Sequence, residues 1–207
     1  MSTGSRRFEG DMSETLAGSD HPVRLIVTDD LVRSRLTVFF RYFLVIPHVI
    51  VLYLWGIVAL FAVLFAWLAA LATGRVPDGL HSFIASYVNY TTHVYAYFLL
   101  IANPYPPFSG TAGYPVDVIV AGPQAQSRIT VFFRLFLAIP ALFLTSVFRS
   151  VNGIIAVLGW FYALFTGRMN GGMRDLSAWL LRYEVQTYAY IFLLTGRYPS
   201  LAGAPSV

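Results

Sequence analysis

The stretch SRLTVFFRYFLVIP (Ser34–Pro47) recurs 93 residues later as SRITVFFRLFLAIP (Ser127–Pro140). Around it, residues 22–110 align with residues 115–203 without a gap, and 32 of the 89 aligned positions are identical. Chance would give roughly a fifth of these identities, and self-similarity at a fixed offset indicates a repeat architecture. The chain is therefore a tandem duplication, and both copies are expected to adopt the same fold.

The duplication divides the chain into three parts. Residues 1–20 are polar and rich in Gly and Ser, so we expect a disordered N-terminal tail there. Repeat 1 covers residues 21–110, and repeat 2 covers residues 114–203. The tail has no apolar core of the kind that a cleavable signal peptide needs, and none is expected.

Composition points to the membrane class. Hydrophobic residues make up 57% of the chain and charged residues 12%, against about 25% charged residues in soluble domains. A globule of 207 residues cannot bury that much apolar surface and keep a polar exterior. The absence of cysteine excludes disulfides and thiolate metal sites. The basic residues, all arginine, form no cluster interleaved with polar residues, so no nucleic-acid partner is expected.

The first long apolar run is too long to cross the membrane as one straight helix. Residues 42–74 carry no charge, and a single helix over Leu36–Ala72 would be about 55 Å long. The hydrocarbon core is only about 30 Å thick. Because proline is costly inside a helix and favourable at its first turn, we predict a break at Pro47.

On this interpretation each repeat has an interfacial amphipathic helix followed by a transmembrane helix. In repeat 1, the Arg- and Phe-rich segment Leu31–Ile46 would lie at the interface, and His48–Ala72 would span the membrane. In repeat 2, a span would begin at Pro140 and end near Phe165.

The second helix of each repeat is harder to place. Residues 80–102 and 176–194 are long enough to span, but both contain polar residues, and they could instead lie on the membrane. The polar residues of the second segment do not form a single stripe, which disfavours a surface helix. We therefore predict an all-α membrane protein, a tandem repeat of two-helix units. It would have about four transmembrane helices, interfacial amphipathic helices and short extended segments at Pro22–Val27 and Pro115–Val120.

The distribution of arginine predicts the orientation. With two spans per repeat, the copies would share one orientation and be related by an axis along the membrane normal. The two loops that contain Thr-Gly-Arg hold three arginines, whereas the segments on the other side hold nine. The positive-inside rule then predicts a multi-pass protein of the cytoplasmic cell membrane, with both termini in the cytoplasm.

Six charged residues are candidates for binding lipid or a partner. Arg35, Arg41, Arg128 and Arg134 occupy equivalent positions in the two copies and could hold anionic lipid heads or an acidic partner, or simply anchor the protein. Arg149 interrupts the apolar run of repeat 2, and Glu184 is its tempting counter-ion. Their estimated depths differ by roughly 12 Å, so we expect them not to meet.

No motif indicates catalysis. The chain has no nucleophile elbow or phosphate-binding loop in a suitable context, and we expect no catalytic residues, no metal site, no cofactor and no enzyme activity. His48 and His93 have no histidine at the equivalent position of repeat 2, which disfavours a shared metal or proton site.

The sequence resembles a bacterial membrane family known as domain of unknown function 4389. The matching pieces of repeat 1 are HPVRLIV, FFRYFLVIPH, the apolar run into ATGRVPDGL, and YAYFLLIANPYPPF. Those of repeat 2 are YPVDVIV, FFRLFLAIP, FTGRMNGGM and YAYIFLLTGRYP. The resemblance implies an integral membrane protein and brings no catalytic residues with it.

Two functions are compatible with this pattern. The first is a non-catalytic accessory or structural subunit that binds membrane lipids and a larger membrane protein complex, or forms a homo-oligomer. The alternative is a small transporter or channel with a path at the repeat interface, lined by Arg149, Asn152 and Glu184.

Overall fold

The computed structural model describes residues 21–203, and the predicted N-terminal tail lies outside them. Two strands and five helices follow one another along this part of the chain. They are β1 (Val23–Val27), α1 (Arg35–Thr73), α2 (Asp78–Phe98), β2 (Val116–Val120), α3 (Arg128–Phe132), α4 (Arg134–Thr166) and α5 (Gly171–Ile191). The architecture is mostly helical, and the two extended segments predicted from the sequence are confirmed as a two-stranded sheet.

The predicted break at Pro47 is wrong, because α1 continues through this residue. Arg41 and Val45 before the proline and His48 after it are all buried. Packing therefore holds both sides of the proline in one helix, and this tertiary gain outweighs the local cost of the missing N–H.

Pro140 likewise lies inside α4, so the predicted boundary in repeat 2 is also wrong. The interruption in repeat 2 falls instead at Phe133, between α3 and α4. The interfacial helix and the apolar span of each repeat thus belong to nearly continuous long helices, and α1 alone is about 58 Å long.

Two helices among the described residues, α1 and α4, are long and apolar enough to cross a membrane. The second helices of the repeats, α2 and α5, have 21 residues each but fall short of that hydropathy. The prediction of about four transmembrane helices therefore has support for two candidates.

The sheet reveals a pseudo-twofold axis. Strands β1 and β2 pair antiparallel, with Val23 opposite Val120 and Val27 opposite Val116. At the centre, Leu25 pairs with Val118, which is its own equivalent 93 residues later. An axis that relates the repeats therefore passes through this central pair.

Reciprocal hydrogen bonds show that the start of each long helix lies beside the end of the other. The N–H of Arg33, before α1, donates to the carbonyl of Gly167, after α4, over 2.9 Å. The equivalent N–H of Gln126 donates to the carbonyl of Gly74, after α1, over 2.8 Å. Helix α1 thus begins where α4 ends, and α4 runs antiparallel to α1.

The indole groups of two equivalent tryptophans repeat this pattern. Trp160 Nε1 donates to the Val38 carbonyl over 2.8 Å, and Trp67 Nε1 donates to the Val131 carbonyl over 3.1 Å. The long helices consequently touch near both of their ends. Between those ends, α1 packs against α2 and α4 packs against α5.

Helices α2 and α5 lie side by side beneath the sheet. Asn89 Oδ1 on α2 accepts the Val118 N–H over 2.9 Å, and Gln186 Nε2 on α5 donates to the Val23 carbonyl over 3.1 Å. Most of α5 is buried, including both of its polar sides. Its polar residues form no single stripe because those on one side, such as Gln186, face the sheet, whereas those on the other side, such as Glu184, face α4.

Candidate functional site

Two of the candidate arginines are buried and bind backbone carbonyls. Arg134 on α4 donates through Nη1 to the carbonyls of Tyr190, at 2.6 Å, and Thr195, at 3.0 Å. Its equivalent Arg41 on α1 binds the carbonyls of Tyr97 and Ala102 in the same way. Arg41 and Arg134 are each 1% exposed, so we assign them a structural role in place of the expected contact with lipid heads.

The buried arginines stabilise an unusual helix end. Leu100 follows α2 with φ 61°, and its equivalent Leu193 follows α5 with φ 65°, both in the left-handed region that costs a non-glycine residue roughly 1–2 kcal/mol. The Ile101 N–H bonds back to the Ala96 carbonyl over 2.9 Å, which is the long bond of a Schellman motif. The arginine below each turn neutralises the carbonyls that point out of the helix end.

The other two arginines are exposed at opposite ends of α1. Arg35 lies at its beginning, with Nε beside Gly167 of repeat 2, and Arg128 lies near its end, with Nε beside Gly74. Gly74 and Gly167 have φ values of 78° and 72°, so glycine is needed to terminate α1 and α4 there. Arg35 and Arg128 therefore retain the predicted capacity to bind lipid or an acidic partner.

Arg149 and Glu184 do meet, contrary to the depth argument. Arg149 Nη2 donates to Glu184 Oε1 and, over 2.8 Å, to the hydroxyl of Tyr188. The estimate failed because α5 begins at Gly171, five residues earlier than assumed, which moves Glu184 about 7.5 Å deeper. The remaining difference of about 4.5 Å is within the reach of an arginine side chain.

The ion pair forms one wall of a pocket of about 260 Å³. Equivalent positions of the two repeats face each other across it, with Thr91 opposite Glu184 and Tyr95 opposite Tyr188. The pocket therefore lies on the pseudo-twofold axis. Its residues point away from the sheet, because positions two residues apart on a helix, such as Asn89 and Thr91, differ by about 200°.

The chemistry of the pocket is that of a neutral, polar aromatic recess. Arg149 has its charge matched by Glu184, and its guanidinium carbon also lies 5.5 Å from the centroid of the Tyr95 ring. Asn152, which the transporter hypothesis placed on the same path, is buried and donates to the Ser177 carbonyl over 3.3 Å. Asn152 does not line the pocket.

The histidines belong to two polar networks that sequence reasoning missed. His48 Nδ1 lies 2.8 Å from the Tyr90 hydroxyl. His93 Nε2 lies 2.6 Å from Oδ1 of Asp117 on β2, which links α2 to the sheet. Within residues 21–203, no group of three or more potential ligands is arranged to hold a metal ion.

The comparisons with known proteins agree with the duplicated pattern. A family model described as a domain of unknown function (DUF4389) matches residues 35–110 and again residues 128–202. The chain belongs to this family. The two matches confirm the expected tandem copies, so each DUF4389 copy supplies one long helix and one buried helix. Searches of curated proteins and of solved structures gave no match.

Proposed function

We propose that this DUF4389 protein is a non-catalytic membrane protein that binds lipid and serves as an accessory or structural subunit of a larger membrane assembly. The observation that carries the proposal is the distribution of exposed apolar side chains. In residues 21–203, 35 of the 42 large hydrophobic side chains that are exposed lie on α1 or between Arg128 and Thr166. We call this surface the apolar rim.

The extent of the apolar rim favours a membrane over water. The most apolar windows of α1 and α4 are only 17% and 28% buried, whereas the core helix of a soluble protein is mostly buried. Soluble monomers rarely expose contiguous apolar patches larger than a few hundred Å². A continuous surface of Phe, Leu, Ile and Val along two long helices suits lipid chains.

The accessory role rests on what the polar groups do. Arg41, Arg134, His48 and His93 bind other groups of the chain, and they tie its layers together. Polar side chains used in this way support a scaffold rather than a reaction. Location in the cytoplasmic membrane with both termini on the cytoplasmic side belongs to this proposal.

The test is purification at native expression level in a mild detergent, with mass spectrometry of the proteins and lipids that accompany the chain. A stoichiometric protein companion supports the accessory role. A chain that remains in the supernatant after ultracentrifugation without detergent overturns membrane association. A membrane-bound chain that carries no companion overturns the accessory role alone.

The alternative is a small transporter or channel, and the pocket on the axis favours it. Its multi-pass arrangement would place Arg149 and Glu184 on a path at the repeat interface. Purified protein in liposomes would then show solute flux that falls on Arg149→Ala. Liposomes without flux above the protein-free background would exclude this function for the solutes tested.

A further inference from the structure

We propose that the apolar rim lies within a single leaflet of phospholipids, with α1 and α4 parallel to the membrane plane, so that the chain enters the bilayer without crossing it. This inference rests on the membrane association proposed above. It goes further by naming the surface that contacts lipid, the orientation of the molecule and the side on which the sheet lies.

The length of the rim helices is the first argument. At about 58 Å, α1 would need a tilt of about 60° to fit a hydrocarbon core of about 30 Å, whereas membrane-spanning helices are tilted by about 20°, with a range of 0–40°. A helix that lies in the plane has no such limit on its length. Its diameter of about 10–12 Å also fits one leaflet, which is about half of that core.

The position of the sheet is the second and stronger argument. The pseudo-twofold axis relates α1 to the antiparallel helix α4 and passes through the Leu25–Val118 pair. If the long helices crossed the bilayer, this pair would therefore lie midway between its two surfaces. A two-stranded sheet has two open edges, and open edges do not occur in contact with hydrocarbon.

Exposed polar groups at and beside the sheet support the same arrangement. Arg24 on β1 and Asp117 on β2 are partly exposed, and the loop before β2 exposes polar groups at Thr111 and Gly113. A charged group at the bilayer centre costs about 2.5–3.5 kcal/mol on insertion scales. With the axis along the membrane normal, the sheet projects from the leaflet into water, and these groups stay hydrated.

The exposed arginines complete the case for phospholipid as the occupant of this surface. Arg35 and Arg168 lie at one end of the rim, and Arg75 and Arg128 lie at the other. Between the two ends, residues 42–74 carry no charge. In the plane of one leaflet, all four guanidinium groups reach phosphates at one depth, and each basic residue near an anionic surface contributes about 1 kcal/mol.

The sidedness of the two ends tests the orientation. The chain has no cysteine, so a single introduced cysteine reports one position. Ser34 and Ser127 are equivalent, exposed residues at the two ends of α1, and neither side chain caps its helix. We would express S34C, S127C and, near the sheet, A112C, and label intact spheroplasts and inverted vesicles with a membrane-impermeant maleimide. Labelling after detergent solubilisation gives the total.

The in-plane arrangement predicts that all three cysteines react in the same preparation and are protected in the other. Labelling of S34C and S127C from opposite sides, with A112C protected in both preparations, overturns it and establishes a crossing. A chain recovered without membranes overturns the proposed membrane association instead. The two failures are therefore distinguishable.

A depth measurement provides the second readout. Phe43 and Phe65 are exposed on the rim and 22 residues apart on α1, which corresponds to about 33 Å. We would attach bimane to F43C and F65C in liposomes and quench it with nitroxide lipids of different depth. Equal depths support the inference, and depths that differ by most of a bilayer overturn it. Absence of quenching at both sites would mean that protein, not lipid, covers the rim.

Discussion

Removing the positive charge of the Arg149–Glu184 ion pair should destabilise the fold more than removing the negative charge. The Glu184 side chain is 7% exposed, whereas that of Arg149 is 47% exposed. Breaking a buried pair by deleting one partner costs about 3–5 kcal/mol, because an uncompensated charge stays buried. Since about half of the Arg149 side chain is exposed, the pair is less than fully buried, and we expect about 2–3 kcal/mol for Arg149→Met.

Removing the negative charge instead leaves a cation whose side chain is about half exposed. Glu184→Gln keeps an oxygen that accepts from Arg149, so it should cost about 1 kcal/mol or less. The double variant R149M/E184Q has no unpaired charge and should be more stable than R149M alone. The coupling energy of this double-mutant cycle should then exceed the cost of E184Q alone.

The assay is denaturant unfolding of the purified protein in detergent, followed by tryptophan fluorescence, with membrane insertion of each variant checked first. A cycle in which the two single changes add without coupling would refute the ion pair as an energetic unit. So would an E184Q variant that loses as much stability as R149M, because burial would then not decide the cost.

Three further changes test other parts of the fold. Arg134→Met should cost about 2–4 kcal/mol in the same unfolding assay because it leaves two buried carbonyls without a donor, whereas the exposed Arg128→Met should stay within about 0.5 kcal/mol. Gly167→Ala should cost about 1 kcal/mol or more, because φ is 72° there, whereas Gly153→Ala, in an open part of α4, should stabilise by up to about 1 kcal/mol. Burial lowers the pKa of His21, so the unfolded chain takes up a proton first as the pH falls. The free energy of unfolding should therefore decrease below about pH 6.5, and a His21→Gln variant should show a smaller decrease.

Periodicity and repetition made part of this fold predictable. The duplication, both strands, the glycine turns after the long helices and the apolar character of α1 and α4 follow from local pattern and spacing. Such features depend on residues that are close in sequence, so a single sequence contains the information. Only two of the four predicted spans have the hydropathy of a membrane-crossing helix, because α5 contains polar residues that face other parts of the same protein.

The failures share a tertiary origin. Pro47 predicts a helix end by local rules, but the buried contacts on both sides of it are made with α2, which lies far along the chain. Arg41 has the sequence pattern of an interfacial anchor, and only the fold places the carbonyl of Tyr97 above it. The position of Arg149 relative to Glu184 depended on where α5 begins, and helix boundaries are the least certain part of any sequence-based prediction.

Two of the differences between the copies lie at the pocket on the axis. Gly56 and Thr91 of repeat 1 correspond to Arg149 and Glu184 of repeat 2. A side chain at position 56 would meet the hydroxyl of Tyr87, which lies 3.0 Å from the place of its Cβ, so a larger residue there requires the Tyr87 side chain to shift. In repeat 2 the carboxylate is nearly buried and depends on the half-exposed arginine for its charge balance, so Glu184 is the partner that needs the pair. The pair therefore behaves as a single feature, which gives one half of a symmetric pocket a charge distribution that the other half lacks.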